Sequence, residues 1–550
     1  MIRMGMGLGL LLTVTACKRA EDVVPTPNFE IETAIGVISP LDETLAAYPG
    51  IPGVMNADDD NEDGVSDWDS REWQGDDDDY TTVSVVSTAK TFQFTLSDDT
   101  GLVRIWSGGE EVLGPDSTDW SPEQSDDISM FIEFGAPLST AELKVKNLTD
   151  EETVTTHLTA APMILGHHQQ VTEKVWIMKM NFRDYSNAKM VSDMEAVLGD
   201  RLFDVNAERY DYDVWVQDEF EWSSMVSAES RIDVVIDSIR DGQGGGGLDD
   251  APEDLMLGSN SIVRTWGSGW ANTYDSFGNL EVSPPLSVDG VDYPYGRIYY
   301  GKKGSSGPVA ALTDHLDSQR VQAPFYVDTT WLCVGHIDEF TTFLPDPTAP
   351  RGFRFLFSDT RAGWEIVEAT DPGTSLPLYA PTDSWSGHGI PNVGAMAEES
   401  SLKAYNEDIQ LQYLDPILEQ FKEEFGLLEE EIVLFPSVFE EINDSTYGRC
   451  GAAALVPGAA NMLVVNETDG STHAFMADPF FRSTPADQSS DPFIDAYKAL
   501  LPPAVTPHFV DDFEVYHLGL GEVHCGTNSL RTPLDGWWEN SSHLLKETGE

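Results

Sequence analysis

Residues 521–528 of the chain read Gly-Glu-Val-His-Cys-Gly-Thr-Asn, and the interpretation of the whole sequence starts from this stretch. Two other stretches share its character: residues 215–221 read Trp-Val-Gln-Asp-Glu-Phe-Glu, and residues 334–340 read Val-Gly-His-Ile-Asp-Glu-Phe. Each sets acidic, histidine or cysteine side chains directly beside apolar residues. Ionisable side chains in apolar surroundings are typical of functional sites, so the three stretches are candidates for chemistry.

Taken singly, each stretch is also compatible with an ordinary loop. A zinc site is disfavoured because the sequence has neither a Cys-x-x-Cys nor a His-x-x-x-His spacing. A hydrolase built on Cys and His stays open, since a thiolate needs a base and the base needs an orienting group. His336 and Asp338 are two residues apart, a spacing that on a strand puts both side chains on one face.

The charge of the chain is strongly negative. It has 95 acidic and 31 basic residues, a formal net charge of −64, in a length that suggests two to four domains. Such a chain repels nucleic acid and anionic membrane surfaces, so we expect no nucleic-acid partner. Metal ions and basic substrates suit it better, although an acidic surface that only keeps the protein soluble explains much of the charge equally well.

The first residues predict export. Arg3 precedes an apolar run over residues 4–16 that is too short to span a bilayer, and the run ends in Val14-Thr15-Ala16-Cys17. This ending resembles a bacterial lipobox, which predicts a lipoprotein signal peptide over residues 1–17 and a lipid on Cys17. An ordinary signal peptide is the alternative. We expect an exported protein held to a membrane by its lipid only, at the outer membrane, the cell surface or a periplasm-facing leaflet.

The cysteine count fits a reactive thiol. Apart from Cys17, the chain has Cys333, Cys450 and Cys525, too few for a disulfide framework at this length. An odd cysteine has to stay free or pair with another chain. Because a free thiol outside the cytosol is exposed to oxidation, its presence favours a function for it.

Composition divides the remaining sequence. Residues 18–50 contain several prolines and predict a tether, and residues 51–160 predict a β-sandwich with an acid-rich start at 56–79 and alternating strands from residue 81 onward. Residues 161–545 mix strands with helices, the clearest helices being 190–198 and 405–425. The glycine run that ends at Gly247 lacks the Lys-Ser/Thr ending of a phosphate loop, which disfavours a nucleotide site.

The three opening stretches, with residues 275–285 (Asp-Ser-Phe-Gly-Asn-Leu-Glu-Val-Ser-Pro-Pro) and 461–464 (Asn-Met-Leu-Val), closely resemble the protein-arginine deiminase family. The resemblance runs in order over about residues 160–540, and more weakly over residues 50–160. It implies an immunoglobulin-like β-sandwich over residues 51–160, followed over 161–545 by a five-bladed α/β propeller. The active site of that propeller lies at its centre. The family's first N-terminal domain is expected to be replaced by the tether.

The resemblance also implies roles for individual residues. Asp218 and Asp338 are expected to grip a guanidinium, Cys525 to attack its carbon, and His336 to act first as acid and then as base. The product is citrulline and ammonia, formed through a covalent thiouronium. Expected substrate contacts are Trp215, Val334 and Arg240.

Calcium is the implied cofactor, since it prefers carboxylate and carbonyl oxygens. One site is expected from Gln217, Glu221 and Glu281 with the carbonyls of Phe277 and Leu280. A second is expected from Glu219, Asp237 and Asp241 with the carbonyl of Ser238. The acid-rich cluster resembles further calcium sites of the middle domain, through Asn56, Asp58, Asp60 and Asp67. Its alternating acids suit a calcium loop independently, and a solvated acidic linker is the alternative.

Two positions depart from the pattern. Vertebrate members have arginines beside the substrate backbone where this chain has Gly242 and Gly519, while Arg240 is retained. The sequence therefore leaves three functions open. The favoured one is calcium-dependent deimination of arginine in proteins or peptides, the second is deimination of free arginine or another small guanidine, and the third is a non-catalytic calcium-binding surface lipoprotein.

Overall fold

The computed structural model describes residues 29–545, except for gaps at 42–44, 46, 61–64, 76–77, 88–90, 123–126, 184, 243–246, 383–387 and 445–447. The predicted signal peptide, the lipid-bearing Cys17 and the first part of the predicted tether lie outside these residues. Within the described residues, no helix has both the length and the apolar character needed to cross a bilayer.

The first part of the chain forms two sheets. Its strands are β1 (Phe29–Thr33), β2 (Gly36–Ile38), β3 (Ile51–Gly53), β4 (Thr81–Ser87), β5 (Phe92–Ser97), β6 (Val103–Ser107), β7 (Glu110–Leu113), β8 (Asp119–Trp120), β9 (Ile128–Phe134), β10 (Thr140–Asn147) and β11 (Thr153–Ala160). One sheet has the order β2-β1-β4-β9-β6-β7 and the other β3-β11-β10-β5-β8. Every pair is antiparallel except β3 with β11, which is parallel.

Alternation of side chains explains why these strands form. Along β5, Phe92, Phe94 and Leu96 are buried while the residues between them are half-buried, the period of two that a sheet with one covered face requires. Most buried apolar residues of both sheets belong to one hydrophobic cluster. The predicted tether over 18–50 is wrong for residues 29–38, because β1 and β2 pair into the first sheet despite the nearby prolines.

The second part has smaller mixed sheets. Its strands are β12 (Ile164–Leu165), β13 (Thr172–Lys179), β14 (Asn181–Phe182), β15 (Tyr185–Ser186), β16 (Leu202–Asn206), β17 (Phe220–Val226), β18 (Arg231–Asp237), β19 (Ser261–Thr265), β20 (Leu280–Val282), β21 (Leu286–Val288), β22 (Val291–Tyr293), β23 (Ile298–Gly301), β24 (Phe325–Val327), β25 (Thr341–Pro345), β26 (Phe353–Asp359), β27 (Ile432–Pro436), β28 (Phe439–Asp444), β29 (Gly448–Ala454), β30 (Leu463–Asn466), β31 (Thr472–Ala477), β32 (Val505–Val510) and β33 (Thr527–Arg531).

Among the described residues, five sheets of this part have three or four strands: β12-β17-β18-β19, β16-β13-β33, β20-β23-β24, β25-β26-β27 and β30-β31-β32. Each combines antiparallel and parallel pairing, as β25 with β26 and β26 with β27 illustrate. The first long strand of this part, β13, pairs with its last, β33. That pairing brings the C-terminal stretch around Cys525 beside segments that come 350 residues earlier in the chain, as the Trp176–Asn528 pair illustrates.

The helices are mostly short. They are α1 (Asp67–Ser70), α2 (Ala188–Leu198), α3 (Val216–Glu219), α4 (Ala251–Leu255), α5 (Ala310–Ser318), α6 (Thr360–Ala369), α7 (Val393–Glu398), α8 (Ser400–Ile409), α9 (Asp415–Phe425), α10 (Pro492–Leu500), α11 (Trp537–Asn540) and α12 (Ser542–Leu545). A π-helical stretch over Gln410–Leu414 joins α8 to α9, so the helix expected over 405–425 is present and begins earlier.

Two of the described cysteines are bonded to each other. Cys333 and Cys450 form a disulfide across 117 residues, and Cys525 is the free, buried thiol. The odd cysteine predicted from the count is therefore Cys525. The disulfide also fixes the chain just before the 334–340 stretch against β29, where the Cys333 amide donates to the Ala452 carbonyl.

Candidate active site

Cys525 lies at the end of a loop, two residues before β33 begins, and is only 4% exposed. Its Sγ accepts a hydrogen bond from Asn461 Nδ2 at 3.1 Å and lies 3.5 Å from Asp338 Oδ2. The Oδ1 of Asn461 accepts from the backbone amides of His524, at 3.0 Å, and Cys525, at 3.2 Å. One asparagine therefore holds both the thiol and the backbone that carries it.

Asp218 lies on the short helix α3, which is attached to the nucleophile loop. The Gln217 amide donates to the Cys525 carbonyl at 3.1 Å, and Asn528 Nδ2 donates to the Phe220 carbonyl at 2.5 Å. Both bonds join the 215–221 stretch to the 521–528 stretch. One backbone–backbone bond and one side chain–backbone bond thus hold the segments that carry Asp218 and Cys525 together.

Asp338 and His336 come from the third stretch, but not from a strand. His336 precedes a 3₁₀ helix over Ile337–Glu339, so the predicted same-face placement on a strand is wrong. Glu339 holds the turn, because its carboxylate accepts from the amides of Gly335 and His336 at 3.1 and 2.8 Å. In a turn of this kind, His336 and Asp338 can both point toward Cys525 and Asp218, although their side chains do not alternate as they would on a strand.

His336 is 1% exposed and faces Asp218. Its Nδ1 lies 3.5 Å from Asp218 Oδ1, and its Nε2 lies 2.7 Å from the Thr273 carbonyl oxygen. A carbonyl oxygen only accepts, so Nε2 carries a proton and Nδ1 is the nitrogen directed toward the carboxylate. The ring can therefore exchange a proton on the side that faces Asp218.

Gly278 shows how closely these groups converge. A Cβ built on it would lie 2.7 Å from His336 Nδ1 and 3.2 Å from both Asp218 Oδ1 and Asp338 Oδ2. Only glycine leaves that space to the three side chains. Among the described residues, the Oδ1 atoms of Asp218 and Asp338 and the Nδ1 of His336 are buried polar atoms without a hydrogen-bond partner. Such a cluster suits a cation with several N–H donors.

The electrostatics of the cluster also favour a cation. Burial, and then the carboxylates of Asp338 and Asp218, raise the pKa of the Cys525 thiol well above its usual range. Burial likewise raises the pKa of Asp218, although His336 and Arg240 oppose the change. A positive charge bound between the carboxylates would lower these pKa values and favour the thiolate.

A cavity of about 360 Å³ opens onto Cys525. All three predicted substrate contacts, Trp215, Val334 and Arg240, line it. The guanidinium of Arg240 lies 3.8 Å from Asp218 Oδ2 and 3.5 Å from Glu219 Oε2. Arg240 thus lies beside Asp218, one of the two carboxylates expected to receive a substrate cation.

Gly519, one of the two departures, also borders this cavity. A Cβ at this position would lie 2.8 Å from Trp215 Cζ2, so the indole ring occupies the space that a side chain would need. Gly242, the other departure, ends a 3₁₀ turn that begins at Ile239. The described cavity wall at residue 519 is therefore aromatic, with no cationic side chain from that position.

The first predicted calcium set surrounds a cavity of about 40 Å³ lined by Gln217, Glu221, Leu280 and Glu281. Gln217 Nε2 donates to Glu221 Oε2 at 2.7 Å and lies 3.3 Å from the Phe277 carbonyl oxygen. Burial raises the pKa of Glu221 to about 7 and that of Glu281 to about 8. Buried carboxylates and carbonyls around a space of ion size fit calcium.

The second set is assembled in part. Glu219 is buried, and its Oε1 has no hydrogen-bond partner among the described residues. The Ser238 amide donates to the Glu219 carbonyl at 2.9 Å, and Asp237 accepts from Thr265 Oγ1 at 2.6 Å. Burial raises the pKa of Glu219 well above its usual range, which a bound cation would reverse. The side chain of Asp241 lies outside the described residues.

Several residues of the acid-rich cluster in the first part are buried, which argues against the alternative that the cluster is a solvated acidic linker. Asn56, Asp58 and Asp67 are at most 4% exposed, and the Asp60 amide donates to Asp67 Oδ2 at 3.0 Å. Burial raises the pKa of Asp58 to about 7. Residues 61–64, the middle of the predicted calcium loop, lie outside the described residues.

Sequence reasoning missed the partners that orient the machinery. The sequence marks Asn461 only as part of a stretch that resembles the family, and its bond to Sγ joins positions 64 residues apart. The sequence predicts no role for Thr273 or His524, although His524 Nδ1 lies 3.0 Å from Asp338 Oδ2. Local sequence carries no signal for such contacts, because they are created by the meeting of distant loops.

A buried thiol, an imidazole and two carboxylates around a cation-sized space define a cysteine-based site for a planar cation. The family model for protein-arginine deiminase (PAD) matches residues 150–539, and this chain belongs to that family. The predicted family is therefore confirmed.

Human protein-arginine deiminase type-3 is 34% identical over 337 residues, 59% of this chain and 48% of the relative. Human protein-arginine deiminase type-4 is 31% identical over 390 residues, 69% of this chain and 55% of the relative. The chain thus spans about half the length of these relatives. A solved structure described as an arginine deiminase from Porphyromonas gingivalis aligns at 14% identity over 67% of this chain and 98% of that one. Its TM-score is 0.35, and no conclusion about the fold rests on it.

Proposed function

We propose that this chain hydrolyses the guanidinium of arginine residues in proteins or peptides to citrulline and ammonia, with Cys525 as nucleophile. The observation that carries the proposal is the convergence of Asp218, Asp338 and His336 on one space beside Sγ. Family membership supports the same activity.

The reaction follows from the charge distribution. The guanidinium is a planar cation with five N–H donors, and the two carboxylates accept them and hold its carbon near Sγ. The cation lowers the pKa of Cys525, so the thiol gives up its proton to His336 when the substrate arrives and the thiolate forms. Sulfur bonds to the carbon as the C=N bond becomes single, which gives a neutral tetrahedral adduct whose N–H groups still donate to the carboxylates. The carboxylates stabilise the positive charge that returns when nitrogen is protonated.

Collapse of the adduct breaks a C–N bond. His336 supplies the proton that lets nitrogen leave as ammonia, and a thiouronium on Cys525 remains. His336 then takes a proton from water, whose oxygen attacks the same carbon. The C–S bond breaks, the ureido group of citrulline forms, and the thiol is restored. One water is consumed and one ammonia is released.

Calcium is the proposed cofactor, through the two sets around Gln217–Glu221 and the cluster at Asn56–Asp67. When bound, it supplies fixed positive charge to buried carboxylates. Gln217, Glu219 and Glu221 flank Asp218 on and beside α3, so ordering their side chains would position Asp218 and draw Glu219 away from Arg240.

The proposal extends to architecture and location. We propose that the five mixed sheets are the blades of the family's α/β propeller, and that the two sheets of residues 29–160 are its immunoglobulin-like domain. β13, near the start of the second part, pairs with β33, near its end, and this pairing supports a closed ring of blades. The lipobox-like ending at Cys17 supports an exported, lipid-anchored protein.

Free arginine or another small guanidine is the second candidate substrate. The aromatic wall formed by Trp215 at Gly519 favours it, because no side chain at residue 519 can bind a peptide backbone. A blocked arginine peptide and free arginine, each with calcium and with chelator, would be compared by mass spectrometry and ammonia release. Conversion of the peptide supports the first candidate, and conversion of free arginine alone supports the second.

The same assay decides whether the chain is an enzyme. The Cys525→Ala variant should convert neither substrate. If the wild-type chain with calcium also leaves both unmodified, the deiminase proposal fails and the non-catalytic alternative stands. Equal conversion under chelator would remove calcium from the proposal and leave the deiminase.

A further inference from the structure

A second kind of donor reaches the small cavity beside the nucleophile. His168, from the loop between β12 and β13, and His524 line the same 40 Å³ space as Glu281. Their Nε2 atoms lie 3.7 and 3.6 Å from the two carboxylate oxygens of Glu281, and one donor atom from each residue falls within 4.8 Å of the others. All three side chains are buried.

These contacts are too long for hydrogen bonds, and the three side chains line one cavity with donor atoms within 4.8 Å of one another. Zinc binds imidazole nitrogen and carboxylate oxygen at about 2.0–2.2 Å, so adjacent donors of a tetrahedral site lie roughly 3.3 Å apart. Each histidine Nε2 has to approach its Glu281 oxygen by well under 1 Å, and donor atoms as far as 4.8 Å apart have to approach by about 1.5 Å. The cavity is large enough for one ion.

Both histidines direct their Nε2 atoms at Glu281, the position a shared metal ion would require. His524 Nδ1 lies 3.0 Å from Asp338 Oδ2, and a carboxylate only accepts, so Nδ1 carries a proton and Nε2 is the nitrogen directed at Glu281, available to a metal that displaces any proton on it. A carboxylate behind a ligating histidine is the usual support for a metal-bound imidazole. His168 likewise directs its Nε2 at a Glu281 oxygen, Oε2, at 3.7 Å.

We propose that His168, Glu281 and His524 bind a zinc-type divalent cation, which competes with calcium for Glu281. Two imidazoles and one carboxylate suit zinc, whereas calcium takes oxygen ligands. His168 is not among the residues predicted for calcium. The two histidines therefore add nitrogen donors to one side of a cavity whose other predicted ligands are oxygen atoms. The binding stands independently of the enzyme's activity, and only the competition rests on the proposed calcium requirement.

The consequence reaches the catalytic centre through Asp338. This carboxylate touches both His524 Nδ1 and, at 3.5 Å, Cys525 Sγ. With zinc on Nε2 of His524, Asp338 would stay hydrogen-bonded to Nδ1 of the same ring. Glu281 would no longer be available as a calcium ligand. Zinc is therefore expected to inhibit deimination, and excess calcium to relieve the inhibition.

The test is zinc binding by the full chain, freed of metal with chelator and titrated calorimetrically. His168→Gln should weaken binding of one zinc by more than about tenfold, since loss of a ligand costs at least as much as loss of its support. Cys525→Ser tests whether the thiolate is the ligand instead. The exposed His543, whose Nε2 contacts the Asp292 carbonyl, gives the matched control His543→Gln.

Wild type, Cys525→Ser and His543→Gln should bind zinc alike. Unchanged binding by His168→Gln, or lost binding by Cys525→Ser, overturns the site. If His168→Gln does not fold, anomalous diffraction from zinc-soaked wild-type crystals decides, and a peak at Sγ rather than between the three side chains overturns it. A zinc affinity that saturating calcium leaves unchanged overturns the competition. An inactive protein that still binds zinc in this way would refute only the deiminase proposal.

Discussion

Asn461 offers the sharpest perturbation of the nucleophile. Its Nδ2 donates to Cys525 Sγ at 3.1 Å, and its Oδ1 accepts from the Cys525 amide at 3.2 Å. Asn461→Asp keeps an acceptor for the amide but replaces the donor to sulfur with a negative charge. Asn461→Ala removes both functions, so the two variants separate activation of the thiol from support of the loop.

The magnitude follows from the bond that is lost. A hydrogen bond to a charged group contributes about 1.5–3 kcal/mol, so Asn461→Asp should raise the pKa of Cys525 by roughly 1–2 units. Turnover near neutral pH should fall about 10–100-fold. Asn461→Ala should in addition lose stability, about 1–3 kcal/mol, because the buried Cys525 amide loses its acceptor.

Alkylation of Cys525 as a function of pH measures the first effect, with the modified peptide quantified by mass spectrometry. Urea unfolding measures the second. The reasoning is refuted if Asn461→Asp is alkylated with the wild-type pH profile. It is also refuted if Asn461→Ala unfolds at the same urea concentration as the wild type, since the acceptor would then contribute nothing to stability.

Three further predictions concern the surroundings of the thiol. Gly278→Ala should abolish most activity while costing about 1–3 kcal/mol of stability, because its Cβ would lie 2.7 Å from His336 Nδ1; wild-type turnover would contradict the packing. Arg240→Gln should bind calcium several-fold more tightly in a calorimetric titration, because the guanidinium lies 3.5 Å from Glu219 Oε2; unchanged or weaker binding would exclude competition for that carboxylate. Without calcium, stability should fall as pH rises from about 5 to 8. Burial raises the pKa values of Glu221 and Glu281 to about 7 and 8, so the native state holds protons that the unfolded state has released. Melting curves with calcium should show a smaller fall, and identical slopes with and without calcium would refute the assignment.

The spacing of apolar side chains predicts those strands and helices that show a regular pattern within their own sequence. The alternation around residues 82–86 gave β4 (Thr81–Ser87), and the four-residue spacing of apolar side chains gave the helix that ends at Phe425. The tether failed at residues 29–38, because β1 pairs with β4 across 50 residues and proline content does not reveal such a partner.

The residues of the site likewise fall into those that local sequence predicts and those that it does not. Cys525, His336 and the two aspartates could be found because their neighbours in sequence are themselves distinctive. The 3₁₀ turn after His336 could not, since two residues of spacing fit a strand equally well. Asn461 and His168 act through contacts with residues far away in the chain, at the Cys525 thiol and at Glu281, which only the folded arrangement creates.

Trapping the intermediate tests the central claim most directly. An arginine peptide would be mixed with the calcium-loaded chain, quenched in acid during turnover, and the digest examined for peptide attached to Cys525. The account predicts a covalent adduct on Cys525 that has lost ammonia, absent without calcium and absent in Cys525→Ala. Citrulline formed by the Cys525→Ala variant at the wild-type rate would contradict it.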